Sequence, residues 1–582
     1  MTIDHESGRS QGRDGDAPPE RLRLPAFVRL GAPITLTDAP EGTTRVVATN
    51  ARGDAVIAMM AGQTWNAHLT TGTWQVDALD ASGAVLGEEL VTVGRHPSER
   101  PVHAFVTSYE HDATAATVDW LTNLRATAVQ FYDWMASYCT PVGSGDRWHD
   151  PSHRPVERVA VQHLAACVRN TGGIALAYAP VYAADVGYAV EHPEQMLYRS
   201  DGGMERLFDA IKLANPANGA WQEQFVGAYG AAGDVLGFNG YHVDTYGFPR
   251  AAVDAEGTPV DMFAAYEMFL GVLREHRPHD TVSFNQVNGF PSSISLPAEP
   301  AIRYCETWPP NDSWRHFEGL LDRASGRAGR LAGRSGREPE PAVRGSLACY
   351  PPVWGRPGEP IAASERPNAL HTVVCTEAIT TMLGASLLVY GDQRAVLSDA
   401  YYPQHERLTT TEGATVLEWH RFALRCRDLF LEGEDTSWYE IRDENGAVSV
   451  HWDGLVSPEP ASGTVFARVV SSDAYLAVGV LDLTGSVSGR WSTSTRQGSC
   501  RGVVVQVLRA QPERWEAATA VLGLRNHRFE TVPTTLTEHR EGHALEVTLP
   551  IVAGWSVLRL TPRRDRAQAE RAHASRRRMR PA

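Results

Sequence analysis

A chain of 582 residues exceeds what one hydrophobic core sustains, so roughly two to four folding units are expected. With 43% hydrophobic and 21% charged residues and a mean hydropathy of -0.28, the composition is that of an ordinary globular protein and confines disorder to local segments. A formal charge of -15 argues against nucleic acid or an anionic membrane as partner of the whole molecule, because a phosphate surface demands a basic footprint.

In chain order, residues 1–22 are rich in Gly, Asp, Glu, Ser and Arg with almost no large apolar side chains, which predicts a disordered tail. No apolar run at the N-terminus resembles the core of a secretion signal, and no stretch of about 18 apolar residues occurs anywhere. A cytoplasmic protein without a transmembrane helix is the expectation. Over 23–98, short β-type runs such as TRVVATNA, DAVIAMMA and TWQVDAL, separated by Gly, Asp and Asn turns, predict an immunoglobulin-like β-sandwich. Over 99–434, eight apolar runs alternate with helical patterns: HAFVTSY, ATAVQFYDW, GIALAYAPVY, YHVDTYG, TVSFNQVN, AIRYCETW, RGSLACYPP and ASLLVYGD. That alternation predicts a central (β/α)8 TIM barrel. Over 435–562, runs such as GTVFARVV and WSVLRLTP predict a C-terminal antiparallel β-sandwich, and 563–582 form an Arg-rich tail read as solvated because the remainder of the chain is acidic. The seven cysteines show no CxxC pairing, so neither a disulfide framework nor a zinc ribbon is indicated.

Six of the eight barrel runs end in polar or aromatic residues, at the strand ends where a barrel gathers its chemistry. Glycosidic cleavage needs two carboxyl groups flanking one sugar. GFNGYHVDTYG puts Asp244 at the end of the fourth strand, and AIRYCETWPPNDSW puts Glu306 at the end of the sixth, so both can face one mouth. A metal-dependent hydrolase is the rival enzyme reading, from the H-x-D spacing of His242 and Asp244 with His103 on the first strand. It lacks an H-x-H partner, and no metal or cofactor is expected. A non-catalytic carbohydrate-binding protein on the same fold is the rival outside enzymes, and the presence of both carboxyls speaks against it.

AVQFYDWM (128–135), GFNGYHVDTYG (237–247), RYCETW (303–308) and DAYYP (399–403) together resemble glycoside hydrolase family 66, the dextranases and cycloisomaltooligosaccharide glucanotransferases. The resemblance implies a retaining enzyme on α-1,6-linked glucans, with Asp244 as nucleophile and Glu306 as general acid/base. The sequence departs from the family pattern at Asn239, where Asp is expected, and at Tyr241, where Trp is common. The long insertion between strands seven and eight that houses an extra module in the cyclising enzymes is lacking, which favours dextranase-like, endo-acting hydrolysis over cyclisation or transfer. Sugar recognition calls for flat faces and planar hydrogen-bonding groups. Asp133 and Trp134 are the leading candidates, followed by Tyr178, Tyr182, His242, Asn285, Gln286, Trp308 and Tyr350. His242 and Tyr246 are expected to help hold Asp244 ionised, and aromatic surroundings such as Trp308 to raise Glu306. The two carboxyl groups are predicted to lie roughly 5 to 6 Å apart. No feature of the sequence sets an oligomeric state.

Overall fold

The computed structural model describes residues 19–59, 65–291, 300–325, 344–356, 359–399, 404–437, 448–508, 515–522, 528–539, 542–551 and 554–562. Most of the expected N-terminal tail, the whole Arg-rich tail and residues 400–403 of the DAYYP motif lie outside them.

In the N-terminal part, strands Arg45–Asn50, Ala55–Met59, Gly72–Leu79 and Val85–Gly94 form an antiparallel sheet. Alternation along Arg45–Asn50 sends Val46 and Ala48 into a core with Leu36, Trp65, Trp74 and Val76. Gly72–Leu79 instead is buried at every position, because its second face packs on the last helix of the central part.

The central part is a parallel sheet whose spatial order follows the chain. Its strands are β1 (His103–Val106), β2 (Ala128–Phe131), β3 (Ile174–Pro180), β4 (Gly240–Asp244), β5 (Thr281–Asn285), β6 (Ala301–Glu306), β7 (Ser346–Ala348) and β8 (Ser386–Leu388, continuing as Tyr390–Gly391). Each falls within one of the eight runs read from the sequence, except that β4 begins one residue earlier, at Gly240. β8 pairs in parallel with β7 at Leu388 and with β1 at Gly391, so hydrogen bonding returns to the first strand. The longer helices between and after the strands are α1 (His111–Asn123), α2 (Arg158–Asn170), α3 (Gly219–Leu236), α4 (Met262–His276), α5 (His316–Ser325), α6 (Arg366–Met382) and α7 (Thr410–Leu431). α3 starts on the Asn218 side chain, which accepts from the Ala220 and Trp221 N–H groups, and stops at Gly237, whose φ of 82° suits glycine. α7 opens on a reciprocal capping box between Thr409 and Glu412. Between β5 and β6 no helix occurs among the described residues.

The C-terminal part consists of a seven-stranded and a four-stranded sheet sharing one apolar core, with Val465, Val478 and Leu558 from the first and Val448, Val505 and Val547 from the second. The largest core is continuous from the parallel sheet and its helices to Phe466, Tyr475 and Trp555 of the C-terminal part. Among the described residues, no helix is long and apolar enough to cross a membrane.

Candidate active site

Asp244, Asn285 and Glu306 are the last residues of three adjacent strands, β4, β5 and β6. β4 can lie this close to its neighbours because it begins with Gly240, where a Cβ atom would sit 2.8 Å from both the Thr281 carbonyl oxygen and the Leu176 side chain. Asn285 bridges the two carboxyl groups. Its Nδ2 donates to Asp244 Oδ1 at 2.6 Å and to Glu306 Oε2 at 2.5 Å, and its Oδ1 accepts the Glu306 N–H at 3.2 Å. Two oxygens held at those distances from one nitrogen are at most about 5 Å apart.

Further donors converge on the pair. Tyr178 donates its hydroxyl to Asp244 Oδ2 at 2.8 Å, and the Thr245 N–H also serves Asp244. Glu306 is hydrogen-bonded by the side chains of Tyr350, Asn285 and Trp308. The rings of Trp308 and Tyr350 stack at 4.7 Å and 19°. Burial pushes Asp244 up to about 8, the nearby Glu306 charge adds to this, and the donors only partly oppose it. Burial likewise raises Glu306. The pair therefore keeps a proton well above the usual carboxylate range.

The expected means of keeping Asp244 ionised needs correction. His242 lies beneath the site, with Nδ1 3.0 Å from Gln130 Nε2 and 3.2 Å from Ser283 Oγ, and burial pushes it down to about 3, so it is neutral. It fills the interior next to Tyr304, 4.7 Å away edge to face. The Tyr246 side chain hydrogen-bonds Tyr178 and not Asp244.

Other predicted residues separate into two groups. Tyr178, Asn285, Trp308 and Tyr350 reach the carboxyl pair directly. Trp134, Tyr182 and Gln286 do not. Trp134 is fully buried against Tyr229 and Phe238, with its Nε1 donating to the Tyr178 carbonyl, so it is core and offers no face to a sugar. The buried Tyr182 bonds the Phe248 carbonyl at 2.7 Å and accepts the Tyr246 N–H at 2.5 Å, fixing the segment after β4. Gln286 is buried, with its Oε1 unpartnered among the described residues. Asp133 is half-buried, pairs with Arg154 at 3.1 Å and has a φ of 52°. Burial pushes its carboxyl up to about 7, against the pull of Arg154.

Tyr132 and Asn288 escaped the sequence reading. The half-buried Tyr132 ring lies 4.4 Å from Tyr178, and Asn288 accepts the Trp308 N–H at 2.8 Å. Strand alternation offered a signal for Tyr132: Gln130, two residues earlier, points inward to His242. For the rival metal reading, His103 is buried with Nε2 2.8 Å from Ser346 Oγ, and no described cluster of three or more His, Cys, Asp or Glu residues could hold a metal ion.

Residues 66–558 match the family described as Glycosyl hydrolase family 66. The chain belongs to glycosyl hydrolase family 66. Two relatives named cycloisomaltooligosaccharide glucanotransferase, both from Niallia circulans, are 26% and 24% identical over 299 and 297 residues. Each match takes in 46% of this chain but only 31% of the relative's length. Among solved structures, the family 66 chain resembles a Paenibacillus sp. cycloisomaltooligosaccharide glucanotransferase complexed with cycloisomaltoheptaose, with a TM-score of 0.72 and 17% identity over 93% of this chain and 99% of that one. An α-amylase from Geobacillus thermoleovorans, complexed with acarbose, aligns at a TM-score of 0.50 and 8% identity over 81% of this chain and 100% of that one. At such identities the likeness concerns the fold.

Proposed function

We propose that this family 66 enzyme cleaves α-1,6-linked glucans, dextran or isomalto-oligosaccharides, by a retaining mechanism in an endo-acting, dextranase-like manner. The fold reading that goes with it is a (β/α)8 barrel over 99–434, closed by the double pairing of β8. An immunoglobulin-like sandwich over 23–98 and a C-terminal sandwich over 435–562 flank it.

The single observation that carries the mechanism is the Asn285 bridge. Retaining glycosidases need carboxyl groups about 5 to 5.5 Å apart, whereas an inverting pair needs at least about 6.5 Å to admit a water. One amide nitrogen donating to both Asp244 and Glu306 fits the shorter spacing. In the reaction, ionised Asp244 attacks the anomeric carbon while protonated Glu306 gives its proton to the departing glycosidic oxygen. A glycosyl ester on Asp244 results. With the Asp244 charge consumed, Glu306 ionises more readily and takes a proton from the incoming water, whose oxygen attacks the same carbon and releases Asp244. Asn285 and Tyr178 stabilise the carboxylate as leaving group.

Water as acceptor is favoured because β7 and β8 are joined by residues 349–385, which include α6 and leave no room for a further module. The names of the relatives favour a second reading, transfer of the glycosyl group to a sugar, through the same intermediate. The test is incubation with isomalto-oligosaccharides and dextran, with NMR of the first product's anomeric configuration and chromatography of the product sizes. Short linear products born in the α configuration support the proposal. Longer or cyclic products move the reading to transfer, β products overturn retention, and inert substrates overturn the linkage.

A further inference from the structure

A cavity of about 340 Å³ lies where three parts of the molecule meet, away from the C-terminal ends of β1–β8. The N-terminal sheet contributes Asn50, Gln75 and Asp77, helix α7 contributes Arg425, and the C-terminal part contributes Arg528, Phe529 and Arg559. The volume lies within the range of small-molecule sites.

The guanidinium groups are unevenly paired. Arg528 takes Asp77 at 2.8 Å and Glu88 at 3.4 Å. Arg425, buried at 7% exposure, gives its Nε to Gln75 Oε1 at 3.0 Å but comes no nearer a carboxylate than 3.8 Å, at Glu88. Its Nη1 is buried without a partner among the described residues. Arg559 gives Nη1 to the Ala51 carbonyl at 2.7 Å and stands 5.0 Å from the Phe529 ring centre. Its Nε is also unpartnered, and no carboxylate lies within salt-bridge distance among the described residues. Asp77 and Glu88 both lean on Arg528, so the guanidinium donors left open toward the cavity are those of Arg425 and Arg559. Burial pushes Arg425 down to about 10, against the pull of Glu88 and Asp77. A buried donor without an acceptor costs stability unless a ligand supplies one.

We propose that this cavity binds a small phosphorylated sugar, its phosphate held by Arg425 and Arg559 and its hydroxylated body set among Asn50, Thr49 and Gln75 beside the Phe529 ring. A guanidinium N–H matches a phosphate oxygen, and the amide and hydroxyl lining suits sugar hydroxyls. Such a ligand would tie the N-terminal sheet, α7 and the C-terminal part together.

The test is titration of the full-length protein with glucose 6-phosphate, inorganic phosphate, glucuronate and glucose, by calorimetry and by thermal melting. Glucose 6-phosphate is expected to bind saturably at one site, raise the melting temperature by about 2 °C, and bind most tightly of the four. Arg425→Gln and, separately, Arg559→Gln should each weaken it about tenfold or more, with turnover of isomalto-oligosaccharides kept. Equal binding by inorganic phosphate or glucuronate overturns the sugar phosphate, and equal binding by glucose overturns the anion. No saturable binding to the wild-type protein overturns the site itself, and unchanged affinity in both variants overturns its location. The wild-type titration decides the matter even where one variant fails to fold.

Discussion

Asn285 serves both carboxyl groups through one nitrogen, so its loss removes a donor from Asp244 and from Glu306 at once. Asn285→Ala is expected to lower kcat by about 10² to 10³, the usual cost of one preorganised donor in a reacting site. The same change should move the acid limb of the kcat/KM profile to higher pH, since donors favour the ionised forms and Asp244 must be ionised to attack. In the wild type the alkaline limb is expected near pH 8, where the last proton leaves the Asp244–Glu306 pair. The raised pKa also has a cost in stability. The fold favours one proton on the Asp244–Glu306 pair over full ionisation, so the penalty is absent below the unfolded value of 3.8, grows as pH rises, and levels off above about 8. Asp244→Asn, inactive, should therefore be more stable than wild type at pH 8, on the order of 2 kcal/mol, with the difference vanishing toward pH 4 in denaturant titrations.

At the scale of elements, the end of β2 shows what could and could not be read in advance. All eight parallel strands were legible, because each is a short apolar run ending in polar or aromatic residues, and the two carboxyls were legible from strand-end position and motif. The facing of FYDW was not. Gln130 and Tyr132 point inward by strand alternation, but Asp133 adopts a φ of 52°, which breaks the alternation and sends Trp134 outward under α3. A tryptophan next to an aspartate does not by itself specify that dihedral. The Arg154 partner of Asp133 lies in a separate loop, so its contribution follows only from the tertiary structure. Trp134→Ala is accordingly expected to destabilise by about 3 to 5 kcal/mol in urea unfolding, as for a buried aromatic, with little change in KM. Tyr132→Ala and Tyr178→Phe should do the reverse, lowering kcat/KM with unfolding nearly unchanged. If Trp134→Ala raised KM at intact stability, its placement in the core would be wrong.

For the whole molecule, the decisive junction is the one between the N-terminal sheet and α7. Arg421, Arg425, Arg427 and Asp428 are buried within one helix, a pattern that makes sense only when a second partner covers it. That partner is the sheet. Glu89 receives Arg421 at 2.8 Å, Arg21 at 3.2 Å and Arg125 at 3.6 Å, and Asp428 receives Arg100 at 3.2 Å and the Thr73 N–H at 2.5 Å. Arg427 bonds the hydroxyls of Thr73 and Thr92 at 3.0 and 2.7 Å. Without residues 23–98, Arg421 and Arg425 would lose the Glu89 and Glu88 carboxylates and Arg427 its threonine hydroxyls, so the central part expressed alone is expected to be insoluble. Glu89→Gln isolates the effect in the full chain. It leaves three guanidiniums facing a neutral amide, and removal of one member of a buried ion cluster costs about 3 to 5 kcal/mol. Burial alone would raise the Glu89 pKa, but Arg125, Arg421 and Arg21 outweigh it and hold the carboxyl below 4.5. Its stabilisation is therefore full above the unfolded value of 4.5 and is lost as pH falls through the lower folded value. Wild-type stability should drop on acidification below about pH 4.5, and Glu89→Gln should flatten that drop, in the opposite sense to the Asp244→Asn effect at alkaline pH. Equal acid sensitivity of the two proteins in thermal melts would show that the junction carries no such linkage.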